Sequence, residues 1–96
     1  MKYNIPSRVL NEITDYAKKS DIDKIILFGS RARGNHSERS DIDIAVAGGD
    51  IDSFYWDIHE NVHSLLTFDV VNMDKEISAE LQAEIKKDGI TIYEKT

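Results

Sequence analysis

The chain has 96 residues, of which 41% are hydrophobic and 31% charged, with a net charge of −6 and no cysteine. This length suits one domain, residues 1–96, without a separate substrate-binding domain. The lack of cysteine excludes disulfides, thiolate metal sites and cysteine nucleophiles. The negative charge disfavours non-specific nucleic-acid binding. No apolar run resembles a secretory signal or a membrane span, so we expect a soluble, cytoplasmic protein.

Three elements are predicted in the first half of the chain. Residues 6–20 predict a helix, because apolar residues recur there at helical spacing after Pro6. The run KIILF at 24–28 is typical of a short buried strand. The run DIDIAVA at 41–47 alternates polar and apolar residues, which predicts a second strand.

The second half continues with a helix that should end near Thr67, a strand at 68–73, a helix that ends at Gly89 and a strand at 90–93. The order α-β-β-α-β-α-β predicts the α/β (α+β) class, with helices packed on a small mixed sheet. These helix predictions depend on the caps Asp50 or Asp52 and Ser78, the stripe Phe54, Ile58, Val62 and Leu65 flanked by Tyr55 and Leu66, and on Leu81 and Ile85.

Three aspartates are candidate metal ligands. Asp41 and Asp43 are two residues apart on a predicted strand, so their side chains should project from the same face. Asp69 opens the next strand and would lie beside them if the two strands are neighbours. Three carboxylates suit Mg²⁺ or Mn²⁺. A D-x-D pair alone is equally compatible with a turn cap and a solvent-facing edge strand.

The sequence GSRARG at 29–34 predicts a phosphate-binding turn after the first strand. Ser30 is expected to cap a short helical turn that ends at Gly34. Backbone N–H groups there would face a phosphate, which Gly29 allows to approach closely. Arg31 or Arg33 would add charge-assisted contacts. By itself the turn is also compatible with a tight Gly-Ser turn carrying solvated arginines.

The joint pattern G-S-x10-D-x-D, followed by a third aspartate on the next strand, resembles the nucleotidyltransferase superfamily that includes DNA polymerase beta. The run GSRARGNHSERSDIDIAV is similar to its minimal nucleotidyltransferase (MNT) branch, as are FDVVNM and LQAEIKKDGITIYE further along the chain. The resemblance spans most of the chain and implies the nucleotidyltransferase fold.

The resemblance also implies roles for the candidate residues. Gly29 and Ser30 would hold the β and γ phosphates of ATP, and Asp41 and Asp43 would bind two Mg²⁺ ions. Asp69 would hold the catalytic ion and help to activate the acceptor hydroxyl. The expected activity is the transfer of AMP.

Short MNT proteins are commonly paired with an all-helical HEPN toxin, so the resemblance implies an antitoxin that transfers AMP from ATP to a tyrosine of such a partner. A hetero-oligomer is then expected. The alternative is a non-catalytic antitoxin that binds nucleotide or neutralises its HEPN partner by contact alone.

Residues 59–63, HENVH, formally match the zinc-protease motif H-E-x-x-H, with His59 and His63 as ligands and Glu60 as base. A third ligand is also needed, and nothing selects one among Glu76, Glu80 and Glu84. We therefore interpret His59 and His63, together with Trp56, as a candidate surface for a partner protein.

Overall fold

The computed structural model describes residues 5–37, 39–62 and 67–95. Within these residues, helices and strands alternate along the chain, and a short helix that the sequence indicated only as a turn separates the first two strands. The predicted class and order are otherwise confirmed. The elements are α1 Ser7–Lys19, β1 Lys24–Phe28, α2 Ser30–Arg33, β2 Ile42–Ala47, α3 Ile51–Asn61, β3 Phe68–Asn72, α4 Ala79–Asp88 and β4 Ile90–Glu94.

The strands form a mixed sheet in the order β3-β2-β1-β4. Strand β1 is antiparallel to both β2 and β4, whereas β2 and β3 are parallel. Helix α3 supplies the crossover that a parallel pair requires. The carboxyl end of β1 therefore lies beside the amino ends of β2 and β3, so residues from three separate chain segments meet at one end of the sheet.

The two faces of the sheet are covered unequally. Helices α1 and α3 cover one face and form the larger core, whereas α4 covers the other face over a small cluster of Phe28, Ala45 and Ile85. Because side chains alternate along a strand, residue 43 faces the same side as Ala45. The larger core consists of Ile5, Val9, Ile13, Ala17, Ile22, Ile25, Leu27, Ile42, Ile44, Val46, Ile51, Phe54, Ile58 and Ile92.

Two of the predicted caps are confirmed. The Asp50 side chain accepts a hydrogen bond from the Ser53 N–H at 3.1 Å, and Ser78 accepts one from the Leu81 N–H at 3.1 Å. Both bonds satisfy an N–H group that the helix itself leaves without a partner. The aspartate alternatives for α3 are thereby resolved in favour of Asp50.

Helix α3 is shorter than the sequence predicted. It ends at Asn61, and Val62 is extended, whereas the apolar stripe predicted a helix to Thr67. The Ile42 N–H donates to the Thr67 carbonyl at 2.9 Å, so the chain already follows the sheet at Thr67 and cannot be helical there. Tyr55, which was expected beside this stripe, is exposed. The predicted positions Leu65 and Leu66 lie outside the described residues.

No helix in the described ranges is long and apolar enough to cross a membrane.

Truncating Phe54, which is fully buried between α3 and the sheet, should lower the free energy of unfolding by about 3–5 kcal/mol, because it leaves a cavity in the larger core. Urea denaturation of the Phe54→Ala variant tests this. The exposed Glu60 on the same helix provides the control, since Glu60→Ala should change stability by less than about 0.5 kcal/mol. Similar losses in both variants would contradict the assignment of the core.

Candidate active site

The Gly29–Ser30 turn and Asp43 are in direct contact at the end of β1. Phe28 pairs with Asp43 across the β1–β2 ladder, and Gly29 follows with φ of +73°. A Cβ atom on Gly29 would lie 2.3 Å from Oδ2 of Asp43. Both its backbone conformation and the nearby carboxylate therefore require glycine at this position. The predicted phosphate cradle and the predicted metal ligand are thus parts of a single site.

Ser30 begins α2 rather than capping it. Gly29 occupies the cap position, and its carbonyl accepts from the N–H groups of Ala32 and Arg33 at 3.1 Å each. The prediction of a Ser30 side-chain cap is therefore wrong, because the helical turn starts one residue earlier than expected. Because Ser30 is the first residue of α2, its hydroxyl is not in the cap position. Gly34 ends the helix in the left-handed conformation, as predicted.

The three candidate aspartates lie at the same end of the sheet. Asp43 and Asp69 are direct partners in the parallel register of β2 and β3. Asp41 precedes β2, so it lies just outside the strand in which it was predicted. The Thr67 hydroxyl donates to Oδ1 of Asp41. Asp41 and Asp69 are exposed, and Asp43 is half-buried.

Burial and crowded negative charge together set the electrostatics of the site. Burial, followed by the charges of Asp69, Asp41 and Glu84, raises the pKa of Asp43 from 3.8 to about 6. The charge of Arg33 acts in the opposite direction. A bound cation would relieve the repulsion between these carboxylates. Carboxylates that bind metal ions commonly lie in such clusters of negative charge.

The donor chemistry fits a hard divalent cation, although the described residues do not converge into a closed site. No three acidic or histidine side chains in the described ranges come close enough together to hold a metal ion. Asp43 and Asp69 are neighbours, whereas one oxygen of Asp41 is bonded to Thr67. Oxygen ligands of this kind are those that Mg²⁺ prefers.

The two candidate arginines are placed differently. Arg31 is only 4% exposed, and its Nε donates to the Ser40 carbonyl at 3.0 Å. Arg33 is more exposed, and its Nη1 donates to Oδ2 of Asp88 on α4 at 3.0 Å. Because Arg33 also lowers the pKa of Asp43, its charge acts on the carboxylates. Of the two, Arg33 is better placed to contact a phosphate.

Three residues near the aspartates and Arg33 were not predicted to belong to the site. Thr67 contacts Asp41, Asp88 pairs with Arg33, and Glu84 faces Asp43 from α4. Glu84 and Asp88 are one helical turn apart, which places both on one side of α4. That spacing was available in the sequence, but only the packing of α4 on the sheet shows that this side faces the carboxylates.

The H-E-x-x-H motif does not lie on one continuous helix. Helix α3 ends at Asn61 and Val62 is extended, so the i,i+4 spacing on one helix face is interrupted before position 63, which lies outside the described residues. His59 stacks on Tyr55 with ring centroids 4.1 Å apart. Its Nδ1 lies 2.8 Å from the Tyr55 carbonyl oxygen, within hydrogen-bonding distance.

Asp43→Asn should stabilise the metal-free protein. The pKa of Asp43 is higher in the folded chain than in the unfolded chain, so ionisation weakens folding as the pH rises through the interval from 3.8 to about 6. Solvent screening of this partly exposed carboxyl limits the expected gain to about 1 kcal/mol, or a few degrees in Tm.

Thermal denaturation with EDTA tests this at about pH 8, where the gain should be complete, and at about pH 4, where it should nearly vanish. The exposed Asp15 of α1 supplies the control variant Asp15→Asn, which should follow the wild type at both values. A larger gain at the lower pH would contradict the assignment.

Two crystal structures of toxin–antitoxin complexes contain a chain with a similar fold. A chain in a crystal structure of a toxin–antitoxin with AMP-PNP is 25% identical to this one, with a TM-score of 0.70. A chain in a mutant of the toxin–antitoxin MntA–HpeT is 22% identical, with a TM-score of 0.69, and shows the fold alone. Each comparison covers 91% of this chain and 74% of the other.

Sequence comparison identifies the family. MJ0604 of Methanocaldococcus jannaschii, named as a candidate protein adenylyltransferase, is 62% identical over 34 residues, which are 35% of this chain and 33% of that protein. The match thus spans about a third of the relative's length. The family model described as Polymerase beta, Nucleotidyltransferase matches residues 11–96. Together with the geometry of the Gly-Ser turn and the neighbouring aspartates, this match shows that the chain belongs to the polymerase beta nucleotidyltransferase family.

Proposed function

We propose that this chain is a metal-dependent adenylyltransferase that transfers AMP from ATP to a hydroxyl group of a partner toxin. The observation that carries the proposal is the contact between the Gly29 backbone and Asp43, with Asp69 beside it on the adjacent strand. Nucleotidyl transfer needs a phosphate cradle next to paired carboxylates, and these residues supply both.

The nucleotide would bind with its terminal phosphates at the Gly29–Ser30 turn. The first N–H groups of a helical turn have no partner within the turn, so they can donate to phosphate oxygens. The hydroxyl of Ser30, the first residue of α2, adds a donor, and Arg33 adds positive charge close to the carboxylates. ATP is proposed because a chain of the same fold, 25% identical, was crystallised in a complex with AMP-PNP.

Asp41, Asp43 and Asp69 would hold two Mg²⁺ ions, which neutralise phosphate charge and align the reacting groups. Mn²⁺ has similar ligand preferences. In the transfer, the acceptor oxygen attacks the α-phosphorus in line, a new P–O bond forms, the bond to the β-phosphate oxygen breaks and pyrophosphate leaves. The carboxylate of Asp69, which is exposed, would take the hydroxyl proton.

The proposed acceptor is a tyrosine of a HEPN toxin, and modification of that tyrosine would make this chain the antitoxin of a hetero-oligomeric pair. The toxin–antitoxin complex with AMP-PNP, in which the matching chain is 25% identical, supports a toxin partner. The net charge of −6 favours a protein acceptor over a nucleic acid.

Asp43→Asn should lower the rate of AMP transfer by at least about a hundredfold, because it removes a ligand of the Mg²⁺ ions that would neutralise the phosphate charge. Intact-mass spectrometry of the chain and the product of its neighbouring gene, after incubation with ATP and Mg²⁺, measures the transfer. The wild type should add an AMP-sized mass to the neighbour, and Asp15→Asn should do the same. Undiminished transfer by Asp43→Asn would overturn the proposed mechanism.

The rival function is neutralisation of the toxin by contact alone. It is favoured by one observation, the large exposed aromatic side chain of Trp56, which suits a contact surface. Growth rescue in cells that express the toxin separates the two functions, because catalysis requires the carboxylates and contact does not. Rescue that survives Asp41→Asn combined with Asp43→Asn would favour the rival.

An exposed aromatic surface supports binding of a partner protein. Trp56 is 60% exposed, and it meets Tyr55 edge to face with ring centroids 5.5 Å apart. Tyr55 stacks on His59, whose ring lies 6.2 Å from that of Phe68 at the start of β3. Phe68 and Asp69 are adjacent in β3 but face opposite sides of the sheet, so this surface lies on the α3 side and the Asp69 carboxylate on the α4 side. Exposed aromatic side chains are typical anchors of interfaces.

Trp56→Ala should weaken the complex with the toxin by about 2 kcal/mol, or roughly thirtyfold in Kd, because an aromatic anchor is lost. The free energy of unfolding of the variant should change by less than about 0.5 kcal/mol, since most of the Trp56 side chain is already exposed. Calorimetric titration and urea denaturation measure the two quantities. The exposed Glu60 of the same helix supplies the control Glu60→Ala, and equal affinities of the two variants would place the interface elsewhere.

A further inference from the structure

Arg31 lies at the junction between the two halves of the proposed active site. Its backbone belongs to α2, which starts immediately after Gly29, whereas its side chain reaches the loop that leads to Asp41. The residue is buried, so its guanidinium is largely withdrawn from solvent. A buried guanidinium needs hydrogen-bond acceptors in fixed positions, and their location shows what it holds in place.

Two of its acceptors are backbone carbonyls of the loop before β2. Nε of Arg31 donates to the Ser40 carbonyl at 3.0 Å, and Nη2 contacts the Ser37 carbonyl more weakly at 3.5 Å. Ser40 is the residue that directly precedes Asp41. A side chain that fixes the Ser40 carbonyl therefore fixes the backbone from which the Asp41 carboxylate projects.

The part of the loop that Arg31 holds is itself cross-linked. The Ser37 N–H donates to the Ser40 hydroxyl oxygen at 2.9 Å, and the Ser40 N–H donates to the Ser37 carbonyl at 3.2 Å. The two hydroxyl oxygens are 3.2 Å apart. These bonds tie Ser37 and Ser40 into one unit, so a single side chain can position the whole approach to Asp41.

We infer that Arg31 is a positioning residue that links the phosphate-binding turn to Asp41, and that it does not itself bind phosphate. The inference rests on the proposed function, since it assigns Arg31 a task within the same site. With the arginine in place, the Gly29–Ser30 turn and Asp41 keep a fixed separation, and the nucleotide and the cation can be bound together.

From the sequence, both Arg31 and Arg33 are candidate phosphate contacts, but in the structure the two arginines have different partners. Arg33 is more exposed and acts on the pKa of Asp43, whereas Arg31 bonds to loop carbonyls. Loss of Arg31 should therefore weaken cation binding, whereas loss of Arg33 should weaken nucleotide binding. The two variants serve as internal comparisons for each other.

Hydrogen exchange in the protein without metal and nucleotide tests the first step. In Arg31→Lys, whose amine cannot reproduce the guanidinium bonds, amides of residues 35–41 should exchange faster than in the wild type, and the amides of β1 should be unchanged. Lysine preserves the charge and most of the aliphatic stem, so folding should survive. Lys87 of α4 is exposed and supplies the control Lys87→Ala, whose amides should exchange at wild-type rates throughout.

Titration with Mn²⁺ and steady-state kinetics test the second step. The Kd for Mn²⁺ should rise by about tenfold or more in Arg31→Lys and further in Arg31→Ala, as for other residues that orient metal ligands. KM for ATP at saturating Mn²⁺ should stay near the wild-type value. Arg33→Ala should show the reverse pattern.

Three results would overturn the inference. Wild-type exchange in residues 35–41 together with wild-type Mn²⁺ affinity in Arg31→Lys would remove the positioning role. A raised KM for ATP with unchanged Mn²⁺ affinity would make Arg31 a phosphate contact, and failure of both Arg31 variants to fold would make it a core residue. If the wild type itself binds no Mn²⁺ and transfers no AMP, the proposed function fails, whereas exchange in the loop still reports on the Arg31 bonds alone.

Discussion

The close approach between the Gly29 backbone and the Asp43 carboxylate is the constraint on which the arrangement of the site depends. It exists because β1 and β2 pair antiparallel with Phe28 opposite Asp43, so the residue after Phe28 must pass over the carboxylate. A side chain at position 29 would occupy the space of Oδ2. The proposed phosphate-binding turn lies against the carboxylate with a positive φ and without a Cβ atom at position 29.

The unequal covering of the sheet lets the protein tolerate this crowding. Among the described residues, most buried apolar side chains lie between the sheet and helices α1 and α3, and those buried on the α4 side are Phe28, Ala45 and Ile85. Asp43 faces the α4 side, and burial and neighbouring charge raise its pKa to about 6. The unfavourable charge is thus separated from the larger core, as is common where function requires a locally destabilising group.

Much of this arrangement was predictable from the sequence because the signals are local. The alternation of residues 41–47, the Gly-Ser turn after a strand and the spacing to the aspartates each report on a short segment, and strand pairing then brings them together. What could not be predicted depends on long-range packing. The end of α3 is set by pairing at Thr67, and the neighbours of Arg31 are backbone carbonyls that carry no sequence signal. The roles of the site residues in catalysis stay predictions.

The position of β3 at the edge of the sheet bears on the kind of molecule that can reach the carboxylates. Asp69 is exposed on this strand, and in the described part of the chain no further strand lies beyond it. The side from which an acceptor would approach is therefore an open flank rather than an enclosed pocket. For the proposed transfer, an acceptor as large as a folded protein could reach such a flank, and its recognition would then depend on contacts between two protein surfaces.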